Sequence, residues 1–229
     1  MGLSVKLFKH SGLSLSASQL SQKLKAITYS PKSKKDIAAG FTRVSVSGTS
    51  VVGEFVAGFR VSVLSYDKQG NLIPVDYISV DRGDVFIKMD RGTVEVRGSE
   101  RIARKFGRVF EEVSGANIST LNLNGGTKKV YDAASNIASV LLSGVEKGNL
   151  SQAEFRGDGI QTEEEIGLYT RRYKAAISRF RGTFVYPSGA NLTTSINANS
   201  GSLMIYRSGD GIQERDLNWI VKLMEDSAV

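Results

Sequence analysis

Phe59-Arg60-Val61-Ser62-Val63 alternates apolar and polar residues, and the same beat runs through its surroundings. Upstream stands Val44-Ser45-Val46 and downstream Val94-Glu95-Val96. A period of two is the mark of a strand with one dry and one wet face. Turn sequences at Lys68-Gln69-Gly70-Asn71, Arg82-Gly83 and Asp90-Arg91-Gly92 divide the stretch from Phe41 to Arg97. Short turns between alternating runs predict an antiparallel meander of about four to six strands.

Outside this stretch the period changes to that of a helix. Leu20, Leu24 and Ile27 follow a Ser16 or Ser18 cap, and Ile102, Phe106, Val109, Phe110 and Val113 stripe a helix from Glu100 to Val113. After a further strand at Ile118, Leu121 and Leu123, a helix capped by Thr127 is predicted to turn Val130, Ala134, Ile137 and Leu141 inward and to stop at Gly144. Residues 144–161 read as a long surface loop. A capping box from Thr162 to Glu165 opens a helix reaching about Phe180. Two or three short strands fill 183–207, and a last helix, capped by Asp210, buries Leu217, Ile220 and Met224. The expected fold class is therefore α+β: a meandering antiparallel sheet with three to four packed helices. Gly92-Thr93-Val94-Glu95-Val96-Arg97 and Gly201-Ser202-Leu203-Met204-Ile205-Tyr206, 109 positions apart, each lead into a helix, so two related halves also fit. The expected organisation is a basic N-terminal arm at 1–35, a sheet-plus-helix half at 36–115 and a helix-rich half with short strands at 116–229. Residues 36–229 read equally as one domain.

The charge is distributed unevenly. Lys6, Lys9, Lys23, Lys25, Lys32, Lys34 and Lys35 all precede the first acid, Asp36, and equal the net charge of +7. A one-signed segment suits a polyanion, either nucleic acid or an anionic membrane. Arg101, Arg104, Lys105 and Arg108 fall at i, i+3, i+4 and i+7 and share the helix face opposite the apolar stripe. Guanidinium forks there can grip phosphates bidentately. Arg171, Arg172, Lys174, Arg179 and Arg181 form a weaker version of the same cluster, and Tyr66, Tyr77 and Tyr206 are aromatics that could stack on bases. Trp219 and Leu223, four apart on the last helix, make a second apolar strip and read as an interface between copies.

Catalysis has little to work with. There is no cysteine, and His10 is the only imidazole, which removes thiolate chemistry, a Ser–His–Asp triad and a His/Cys metal set. Asp81, Asp84 and Asp90 lie among arginines at turns and are better explained by turn chemistry than by a metal. No enzyme activity, cofactor or metal is expected. No apolar run is long enough for a signal peptide or a span, so an intracellular or virion location is expected.

The run from Met89 to Ser99 ahead of the basic helix, with Tyr29-Ser30-Pro31-Lys32 after the first helix, locally resembles a half-repeat of the TATA-box-binding protein fold. That resemblance implies an architectural DNA binder. Residues 48–76 stand as an insertion relative to it, and Met89 and Ala198 occupy the positions of its wedge aromatics. The leading expectation is a non-enzymatic nucleic-acid-binding protein that forms homo-oligomers, of the viral coat or nucleocapsid type, holding the phosphate backbone with its basic arm. A matrix-type protein on anionic membrane is the alternative.

Overall fold

The computed structural model describes residues 2–33, 36–206 and 211–228. Strand accounts for 47% of the protein and helix for 26%, so the helix-rich α+β arrangement expected above is corrected: antiparallel sheet is the framework and the helices cover it. The described residues hold eleven strands and five helices, divided between two compact units.

Unit 2 is the continuous stretch Lys9–Ile118. It takes the end of β1 (Gly2–Ser11), then α1 (Ala17–Lys25), β2 (Ala39–Ser47), β3 (Ser50–Tyr66), β4 (Leu72–Lys88), β5 (Thr93–Arg97) and α2 (Glu100–Ser114). Its strands run in the order β2-β3-β4-β5 with the end of β1 beside β5. Here the meander has four strands, within the four to six expected, and β3 and β4 are longer than the turns suggested. Arg82-Gly83 is no turn but lies inside β4, opposite Val56 and Phe55. Helix α2 begins where its sequence says it should: the Ser99 hydroxyl accepts from the Ile102 amide, and Gly115 closes the helix at φ 71°. Its stripe buries Ile102, Phe106 and Phe110 against the sheet, and Phe106 sits among Phe41, Phe55 and Phe110 at ring separations of 5.6–6.3 Å.

Unit 1 comprises Met1–Phe8 and Ser119–Val229. It contains the end of β6 (Asn117–Thr120), α3 (Thr127–Asp132), β7 (Asn136–Lys147), β8 (Leu150–Arg156), α4 (Glu164–Arg172), β9 (Ala176–Val185), β10 (Asn191–Asn197), β11 (Ser202–Tyr206) and α5 (Glu214–Glu225). The start of β1 lies beside β11, followed by β10, β9, β7 and β8. Three sequence expectations fail here. The helix from Thr127 stops at Asp132, and Ile137, Val140 and Leu142 are buried from a strand instead. The expected loop at 144–161 is largely the β7–β8 hairpin. The helix to Phe180 ends at Arg172, because Lys174 adopts a left-handed backbone (φ 52°) that turns the chain into β9. The Asp210 cap lies outside the described residues. Gly126 shows how tightly this unit closes: a Cβ there would stand 1.7 Å from the Ser227 carbonyl oxygen.

Segment 1–35 is not a free arm. Its first strand and first helix belong to the two units, and α1 carries a complete capping box between Ser16 and Gln19.

Candidate nucleic-acid interface

Among the described residues, the lysines of this segment do not converge. Lys6 is 4% exposed in β1 with its ammonium 5.9 Å from the Phe8 ring centre, so it is withdrawn from any ligand. Lys23 donates to the Val113 carbonyl at 3.4 Å, tying α1 to α2. Lys9, Lys25 and Lys32 are exposed at separate points, and Lys34 and Lys35 lie outside the described residues. The charge asymmetry survives in another form. Unit 2 holds 17 basic and 11 acidic side chains against 13 and 12 in unit 1, so six of the seven net charges belong to unit 2.

Within unit 2 the arginine ridge of α2 becomes one wall of a concave site. Arg101, Arg104, Lys105 and Arg108 line a pocket of about 440 Å³ together with Phe59 and Arg60 from β3. Two of these cations are fixed. The Arg101 Nε donates to Asp81 at 3.1 Å and its Nη2 to the Ser79 hydroxyl at 3.1 Å, while its guanidinium lies 4.7 Å from the Phe59 ring centre. Burial works against ionising Asp81, but hydrogen bonds from Ser99 and Arg101 outweigh it and hold the carboxyl below its usual range. Arg104 reaches Glu100 at 3.6 Å across one helical turn. Arg60, Lys105 and Arg108 have no ion-pair partner among the described residues. Five cations thus meet two carboxylates, and the three unpaired ones share a rim.

The pocket is open, and Phe59 stands among its lining cations beneath the Arg101 guanidinium. Such a surface can neutralise phosphates and hold a flat ring against Phe59 and the Arg101 plane. Sequence reasoning finds the four α2 residues from their spacing. It misses Arg60 and Phe59, which come from a strand some 40 positions away and enter only through the β3–β4 register.

Unit 1 carries a second cationic surface. Arg156, Arg179 and Arg181 line a shallow pocket of about 400 Å³ on the sheet with Glu154, Ser195 and Tyr206. The Arg181 guanidinium lies 4.8 Å from the Tyr206 ring centre, and Arg156 pairs with Glu154 at 3.0 Å. The helical reading had grouped Arg179 and Arg181 with Arg171 and Arg172; the structure separates them, leaving the latter pair at the end of α4. The alternation Ser178-Arg179-Phe180-Arg181-Gly182 was the available signal.

Trp219 and Leu223, expected at an interface between copies, also pack against their own unit. Both are partly buried against the core of unit 1, and the Trp219 ring meets Tyr186 at 5.3 Å and Phe184 at 6.3 Å, edge to face. His10 is likewise no arm residue. It sits in β1, 6.1 Å from the Phe110 ring, with its backbone amide donating to Gly92. Among the described residues no group of His, Asp or Glu is arranged to hold a metal, and no helix is long and apolar enough to cross a membrane. No protein-family model matches the chain, and no curated protein matches it significantly.

Proposed function

We propose that this protein binds nucleic acid without catalysing a reaction, gripping the phosphate backbone through the cationic pocket of unit 2. What carries the reading is the convergence of Arg60, Arg101, Arg104, Lys105 and Arg108 around Phe59, in the unit that holds nearly all of the net charge. Arg101 acts as a preset plate, since Asp81 and Ser79 fix its orientation before any ligand arrives. The three unpaired cations supply the phosphate contacts. Contacts to phosphate position a nucleic acid without reading its bases, so weak sequence preference goes with this surface. The Arg181–Tyr206 surface of unit 1 has the same ingredients and is the second contact.

The test is binding of labelled single-stranded DNA, single-stranded RNA and duplex DNA over a salt series. The variant combines Arg60→Gln, Arg104→Gln, Lys105→Gln and Arg108→Gln, and leaves Arg101 in its structural role. Loss of the three unpaired contacts flattens the slope of log affinity against log salt by about 2 to 3, and Arg104, paired to Glu100, adds at most one more. The melting temperature stays within a few degrees, because these side chains are largely solvated. An unchanged slope, or a parent protein that ignores all three probes at low salt, overturns the reading. Binding to acidic lipid vesicles but to none of the three nucleic acids moves the function to a membrane surface.

A further inference from the structure

Strands β3 and β4 outrun their neighbours. Pairing with β2 ends at Ala57 and pairing with β5 at Asp84. Beyond the base of the pocket, from Arg60↔Ile78 to Tyr66↔Leu72, the two strands pair only with each other among the described residues. An isolated two-stranded ribbon of this kind is marginal in water and is normally polar on at least one face.

This one is apolar along one face, and on the other Arg60, Ser62 and Asp76 interrupt an apolar set. The register puts Val61, Tyr77, Val63, Val75 and Ile73 on one side as a continuous strip. The other side presents Ile78, Leu64, Pro74, Tyr66 and Leu72. Seven of these side chains (Val63, Leu64, Tyr66, Leu72, Ile73, Val75, Tyr77) together with Val80 are 40–72% exposed. Over the two faces together they offer on the order of 800 Å² to solvent, an apolar exposure that marks an interaction surface.

Charge indicates what covers it. Above the pocket, between Val61 and Ile78, the ribbon has one basic residue, Lys68, and two acidic ones, Asp67 and Asp76. It is close to neutral on a chain of net +7, so it does not attract a polyanion and repels a copy of itself only weakly. The tip is polar and closed on itself: the Asp67 carboxylate accepts from the Gln69 amide at 2.9 Å, the Asn71 amide at 2.8 Å and the Asn71 side chain at 3.1 Å. Entering a bilayer tip first would bury that carboxylate before any apolar residue. The apolar surface is the shaft, which suits contact along the ribbon's length.

We infer that the β3–β4 ribbon is a homotypic docking arm, packing its Val61–Tyr77–Val63–Val75–Ile73 strip against the same strip of a second copy of this chain. One strip serves both partners, as a two-fold interface requires. The inference does not rest on nucleic-acid binding, and its test uses nuclease-treated protein, so either can fail alone.

The measurement is mass by size-exclusion chromatography with light scattering across a concentration series. Parent protein forms dimers or larger closed assemblies. Val63→Glu with Val75→Glu is expected to raise the dissociation constant at least tenfold and give monomers that melt as the parent's monomer does, because both positions are exposed. Val63→Lys with Val75→Lys does the same alone. Mixing the Glu and Lys variants restores the assembly through opposed charges, a result that misfolding cannot produce. A parent that stays monomeric at its highest attainable concentration overturns the inference, as does a Glu variant that keeps the parent's mass. It is also overturned if a monomeric parent floats with lipid vesicles and the Glu variant does not, which makes the ribbon's occupant a membrane.

Discussion

Tyr186 and Thr194 face each other across the β9–β10 end of unit 1, with their hydroxyls 2.7 Å apart in a fully buried setting. Burial pushes the Tyr186 phenol up to about 12, against the lowering effect of the Thr194 hydrogen bond, so it is neutral at every ordinary pH. Tyr186→Phe strands the Thr194 hydroxyl and should cost about 1–3 kcal/mol in chemical denaturation, with no pH dependence. His10 behaves oppositely. Its burial lowers the imidazole pKa from 6.5, partly offset by a hydrogen bond to the Lys88 backbone, and Nε2 has no hydrogen-bond partner. The unfolded chain therefore binds the proton more tightly than the folded one. Stability is complete above about pH 7 and falls as pH drops through the unfolded value of 6.5. Melting curves of the parent and of His10→Gln should converge on acidification from about pH 7.5 to 5.5 as the parent alone loses this contribution; curves that stay parallel mean His10 is solvated.

Among the elements, α2 was the most legible, and it illustrates why others were not. Ser99, Gly115 and the Ile102–Phe106–Phe110 stripe agree on one helix, with cap, stop and face all consistent. Phe106→Ala should lower unfolding free energy by about 3–5 kcal/mol, since the ring is fully buried among three others; a loss under about 1 kcal/mol would mean the cluster refills the space. From Val130 to Phe180 local signals conflict. Ile137 and Leu141 satisfy helical spacing, while Ile137, Val140 and Leu142 are what the sheet buries. A strand in mid-sheet carries apolar residues at spacings that match either period, and only its neighbours decide. Lys174 gave no warning, because a left-handed lysine is set by its surroundings and not by its type. The binding site was legible to the same degree as its elements: the α2 wall was readable from spacing, whereas Phe59 and Arg60 needed the register. Helical spacing alone does not reveal that β9 and its following turn bring Phe184 and Tyr186 against Trp219.

For the molecule as a whole, most of the net charge and the open ribbon belong to the same unit but to different parts of it, the pocket cationic and the ribbon close to neutral. A chain that both holds a nucleic acid backbone and joins to copies of itself is what a coat or nucleocapsid-type subunit requires, and the two experiments above address those properties separately. The way unit 1 is closed has a further consequence, for synthesis. Unit 2 is one continuous stretch and has all its residues once Ile118 has left the ribosome. Unit 1 does not: in β1, Leu3 pairs with Ile205 and Val5 with Leu203, so residues made before unit 2 must wait for residues made after it. Until then Val5 and Leu7, fully buried at the end, hang bare ahead of a finished neighbour. Assembly of unit 1 is thereby deferred past the synthesis of unit 2, and β1 cannot be seated before β11 follows it out.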